Sequence, residues 1–151
     1  MINLKNKIIQ INTIVQEINN KISYHNNKKE KINKVLDRLG LIIREYDMDN
    51  DILGYFYTKN RKYGLAVNKN ILFSDWKKLF IKAFLIGTHI YYVINNISGK
   101  KYEKTIDIDF GLNKNADWYN FSLIFAISLL SDNGYKQNLS IKENYLLVKK
   151  G

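Results

Sequence analysis

Residues 52–68 read ILGYFYTKNRKYGLAVN, and this stretch decides the fold. Ile52–Thr58 and Tyr63–Asn68 are rich in aromatic and branched side chains, which suit a pleated, half-buried surface, and the polar Lys59–Lys62 segment between them reads as a turn. The expectation is a β-hairpin. On its N-terminal side Leu41–Ile43 is a short apolar run of β character, and Gly40 stops the element before it as a glycine just past a helix does. Ahead of Gly40 the period becomes helical, with Ile32, Val35, Leu36 and Leu39 marking a short helix. Farther back Leu4, Ile8, Ile11, Val15, Ile18 and Ile22 fall at helical spacing over about three heptads, an amphipathic helix. Its stripe must be covered, either by the chain's own core or by a second copy in a homodimeric coiled coil. The polar Tyr24–Asn27 break puts the boundary there, with residues 1–26 as the N-terminal helix and 27–151 as the α+β domain it joins in one globular unit.

On the C-terminal side, Ser74 reads as the cap of a helix reaching about Asn95, with Trp76, Phe80, Phe84 and Ile90 on broad apolar faces. Its apolar centre, Ala83–Ile94, contains Thr88 and His89 and is too short and too polar to cross a bilayer. From Lys101, the residues Tyr102, Lys104, Ile106, Ile108 and Phe110 alternate with Glu103, Thr105, Asp107 and Asp109. That is a half-buried strand with Asp107 and Asp109 on its exposed face. A further helix covers about Ala116–Leu130, Ser131–Gly134 ends it, and Tyr145–Val148 offers one last strand. The fold class expected is α+β: a small, mostly antiparallel sheet packed against three or four helices, with an N-terminal amphipathic helix.

The 151 residues suit a single domain, and with 46% apolar and 13% aromatic side chains they supply a real core. There is no Cys and no Pro, so disulfide-stapled and zinc-thiolate scaffolds are excluded. The first fifteen residues lack both an unbroken apolar run and a small-residue cleavage site, so no signal peptide and a cytoplasmic location are expected.

The 24 basic and 14 acidic residues give a net charge of +10. However, 21 Lys, 22 Ile and 20 Asn are what A/T-rich codons load into a chain without selection for phosphate contacts, and only three of the basic residues are Arg. The charge is uneven: +5 over residues 1–39, −3 over 40–53, +8 over 54–104 and zero beyond. A partner that uses charge should therefore meet Lys28, Lys29, Lys31, Arg61, Lys62, Lys77 and Lys78, with the hairpin aromatics Tyr55, Tyr57 and Tyr63 as the next candidates.

Chemistry-bearing motifs are sparse. Asp47-x-Asp49-x-Asp51 starts like a calcium loop, but Ile52 replaces its glycine and Thr58 its bidentate glutamate. Asp107 and Asp109 lack a third carboxylate, Asp109-Phe110-Gly111 lacks the loops that accompany it in kinases, and no phosphate-binding glycine loop occurs. His25 lies in a polar loop, and His89, alone on an apolar helix face, reads as a core or boundary residue.

Several local patterns, in order, resemble the ImmA/IrrE family of small zinc-metallopeptidase-like proteins found on mobile elements. Leu36-Asp37-Arg38-Leu39-Gly40-Leu41-Ile42 is similar to the family's end of the early helix, and Gly54-Tyr55-Phe56-Tyr57 to its glycine-containing strand. Ala66-Val67-Asn68-Lys69-Asn70-Ile71-Leu72 is similar to its Ile-x-Asn segment, and Phe125-Ala126-Ile127-Ser128-Leu129-Leu130 to the end of its last helix. The resemblance spans about residues 30–132 and implies a helix bearing His-Glu-x-x-His. With His89 aligned to the second histidine, Leu85 and Ile86 stand where the first histidine and the glutamate would be, and Tyr119 near the third ligand. A catalytic zinc needs three protein ligands and a carboxylate to take its water's proton. The resemblance thus implies a degenerate site at Leu85, Ile86, His89 and Tyr119, with no catalytic residues, metal or cofactor. The function it implies is a non-catalytic protein of phage or mobile-element origin that inhibits or regulates a protein partner, such as a repressor or a host-defence or CRISPR effector. The alternatives are a nucleic-acid-binding protein using its basic surface and a hydrolase with an atypical metal site.

Overall fold

A computed structural model describes residues 4–22, 27–70, 74–97, 99–105, 108 and 116–150. His25, Asp107, Asp109, Phe110 and Gly111, singled out above, lie outside them. In chain order the elements are α1 (Leu4–Asn20), α2 (Lys28–Leu39), β1 (Ile43–Tyr46), β2 (Gly54–Lys59), β3 (Lys62–Asn68), α3 (Asp75–Ile94), β4 (Lys101–Thr105), α4 (Asp117–Leu130) and α5 (Ile141–Lys150). The fold is α+β, and the described residues form five helices where three or four were expected.

The hairpin forms where the residues demand it. Lys59 pairs with Lys62, and the two residues between them, Asn60 and Arg61, both take positive φ, at 52° and 64°. A two-residue connection needs that geometry to match the right-handed twist of its strands. β1 runs parallel to β3, while β2 is antiparallel to both β3 and β4, giving the order β1-β3-β2-β4. Asn68, buried at the end of β3, ties down the β1–β2 loop: its amide donates to the Ile52 and Asp49 carbonyls at 2.8 and 3.0 Å, and its oxygen accepts from the Met48 and Asn70 amides.

Among the described residues, the packed helices lie on one side of this sheet. α3 is sandwiched, with Ile81 and Leu85 against Leu53, Phe56, Leu65 and Val67 of the sheet, and Phe84 and Ile86 in the all-helical core with α1, α2 and α4. α3 and α4 approach closely at Gly87, where an added Cβ would stand 2.9 Å from Phe125 Cδ1 and 3.0 Å from Ser122 Cα. Thr88 Oγ1 and Ser122 Oγ, 2.7 Å apart, join the two helices one residue farther on. The α1 stripe, Ile8, Ile11, Val15 and Ile18, is buried in this chain's own core, so the coiled-coil alternative loses the face it needed. Asn12 fixes α1 in place by accepting from Ser128 Oγ at 2.6 Å and the Tyr135 amide at 3.0 Å and donating to the Tyr135 carbonyl.

Two expectations are corrected. Tyr145–Val148 is part of helix α5, not a strand. Its N-terminus is a reciprocal cap in which Glu143 accepts from the Ser140 amide and Ser140 Oγ from the Glu143 amide, both at 3.1 Å. Ile141 and Val148 are then buried on one helical face. In β4 the burial phase is reversed, with Thr105 buried and Tyr102 56% exposed. The Glu103 side is the covered one because Glu103 has a partner there, the Tyr92 hydroxyl at 2.6 Å. No helix among the described residues is long and apolar enough to cross a membrane.

Candidate functional site

The four positions of the degenerate site fall into two places. Leu85, 1% exposed, faces the sheet, and His89 on the same face sets its ring edge-on to Tyr63, centroids 4.4 Å apart. Ile86 belongs to the helical core, as does Tyr119, whose ring packs on Phe84 at 5.4 Å. Leu85 and Ile86 are thus core residues, and neither carries a donor atom. Among the described residues no three His, Asp or Glu side chains gather as they would around a metal ion. His89 is 8% exposed, and burial pushes its pKa down to about 4, so it stands neutral at pH 7. Its Nδ1 is buried with no hydrogen-bond partner among the described residues.

The basic candidates also separate. Lys31 is a correction: it is buried, and its ammonium donates to the Leu129 carbonyl at the end of α4. A cation there satisfies an orphan carbonyl and meets the negative end of the helix, while its aliphatic stem packs in the core. Desolvation lowers its pKa to about 8, opposed by the charge of Asp132. Lys28 reaches the Val148 carbonyl of α5 at 3.4 Å. Lys29 and Lys78 line a groove beside the helices together with Glu45 and Asp75, so carboxylates offset their charge locally, and Lys77 is exposed in the first turn of α3. Only Arg61 and Lys62, at the hairpin tip, lie next to the open side of the sheet.

That open side is the surface the sequence reading reached only in part. Strand alternation turns Gly54, Phe56, Thr58, Tyr63, Leu65 and Val67 toward the helices, and Tyr63 with them, against Phe56 and His89. The Tyr63 ring is thus turned inward, yet the residue still lines the groove on the open side, where Tyr55 and Tyr57 also lie. They are joined by Tyr46 and Tyr102, 51% and 56% exposed, and by Arg44 and Lys104, none of which was singled out from the sequence. The register sets Tyr55 across from Ala66 on one side and Lys104 on the other, and Tyr57 across from Gly64 and Tyr102. The Tyr55 and Tyr102 rings lie 5.1 Å apart. The small side chains of Gly64 and Ala66 leave the floor of the face low, and a groove of about 460 Å³ runs there between Arg44 and Tyr46 of β1 and Tyr55 and Tyr57 of β2. The signal for these residues was available as period-two alternation; what the sequence lacked was the strand order that makes them neighbours. No family model, curated protein or solved structure matches the chain.

Proposed function

We propose that this chain is a non-catalytic binding protein that regulates its partner by docking it on the open face of the sheet. The observation that supports the reading is that face itself: four tyrosines and four cations lie on the side of the sheet opposite the packed helices, and Arg44, Tyr46, Tyr55 and Tyr57 line a shallow groove there. Exposed aromatics grouped this way mark an interaction surface, since a monomer gains nothing by leaving them wet. Leu85 and Ile86, where the resemblance would put a histidine and a glutamate, are apolar and buried, and they argue against the hydrolase alternative. Of the partners that the resemblance implies, a repressor, a host-defence protein and a nucleoprotein, the last is the one that brings nucleic acid to this face.

The test is positional. A photo-crosslinking residue placed at Tyr102 and expressed in cells should trap a discrete adduct, and the same group at the exposed Lys142 on α5 should trap none. Equal adducts at both positions, or adducts only at Lys142, would overturn the assignment of the surface.

A further inference from the structure

We infer that the occupant of the open face is a single-stranded nucleic acid, bound with its bases on the tyrosines and its phosphates on the surrounding cations. This rests on the open face being the working surface.

The first support is how charge is sorted between the two sides. The four described strands contain two carboxylates, Glu45 and Glu103. Both turn to the helix side, Glu45 toward the groove it shares with Lys29 and Lys78, and Glu103 to the Tyr92 hydroxyl. The outward positions carry Arg44, Lys59, Lys62 and Lys104 and no carboxylate. The remaining strand cation, Lys101, falls on the helix side with the two carboxylates, which leaves the open face as the one that carries cations alone. Among the described residues, Asp47, Asp49 and Asp51 sit in the β1–β2 loop, beyond the strands that form this face.

The second support is the tyrosine spacing. Tyr55 and Tyr57, two residues apart on one strand, are rooted about 6.7 Å apart along its backbone. That is about twice the 3.4 Å step of a stacked duplex strand, so two bases can lie on these rings only if the strand is extended and unstacked. Sheet faces with aromatic platforms inside a basic surround recognise single strands in this way, because every base offers a π-face and every nucleotide a phosphate.

The test is fluorescence anisotropy of the full chain with a labelled 12-nucleotide single-stranded DNA, the matching RNA and the matching duplex, between 50 and 300 mM salt. Binding of either single strand in about the micromolar range is expected, weaker for the duplex, with a slope of log K against log salt of about −3 for four phosphate contacts. Tyr55→Leu with Tyr57→Leu, which removes two stacking platforms, should weaken it at least about thirty-fold and leave the slope unchanged. Arg44→Gln with Lys104→Gln, both at exposed side chains, should flatten the slope by about 1.4. Lys142→Gln with Lys149→Gln on α5 should change neither. Duplex binding as tight as single-strand binding, or tyrosine variants that bind as well as the parent, would overturn the inference. If no oligonucleotide binds but Tyr102 still crosslinks to a protein in cells, this inference falls and the docking surface stands. If Tyr102 traps nothing either, both fall.

Discussion

His89 ties a single ring to the stability of the whole chain. Its folded pKa lies near 4 and its unfolded value near 6.5, so the unfolded state binds the proton more readily between those limits. The neutral ring's contribution is fully present above pH 6.5 and is lost as pH falls toward 4, by about 2–3 kcal/mol. His89→Phe should flatten that part of the profile relative to the parent, read by urea denaturation at pH 7.5, 5.5 and 4; an unchanged difference between pH 7.5 and 4 would mean that His89 is solvated. Arg61 gives a prediction of opposite sign. Its left-handed backbone costs about 1 kcal/mol, so Arg61→Gly should raise stability by about that much, seen as a higher Tm. Lys31 shows why single residues were the hardest level to read. A lysine codes for solvent by default, and its burial follows only from where the end of α4 falls, which no local pattern announces.

Among the elements, α3 carries the tightest constraints. Gly87→Ala would gain about 1 kcal/mol of helix propensity in isolation, yet the added methyl meets the Phe125 ring at 2.9 Å and the α4 backbone at 3.0 Å. Overpacking of this kind costs about 1–3 kcal/mol, so the net change should be destabilising, and a rise in Tm would show that α3 and α4 sit farther apart than described. Leu85→Ala should cost about 2–5 kcal/mol by denaturant titration, as a cavity between α3 and the sheet. The elements were legible wherever a local device marks them: Gly40 in the left-handed conformation after α2, Ser74 capping α3 and the two-residue turn of the hairpin. Ser140-x-x-Glu143 was an equally local device, and it is why α5 is helical where Tyr145–Val148 alone suggested a strand. β4 misled because an aromatic-rich face normally goes inward; here the other face gains the Tyr92–Glu103 hydrogen bond and the aromatic one stays out.

The sheet order β1-β3-β2-β4 is what assembles Arg44, Tyr55, Tyr57, Tyr102 and Lys104 into one surface, and it is a long-range property that periodicity cannot supply. The sequence therefore pointed to the hairpin aromatics and to a basic middle segment, while splitting its remaining cations among helix ends and a mixed-charge groove. Position is also where the account is most exposed. Amide chemical shifts of labelled protein titrated with the single-stranded 12-mer test it most directly. The account predicts perturbations grouped at Arg44, Tyr55, Tyr57, Ala66, Tyr102 and Lys104, with α5 silent; shifts centred on α2, on α5 or on the groove lined by Lys29 and Lys78 would contradict it.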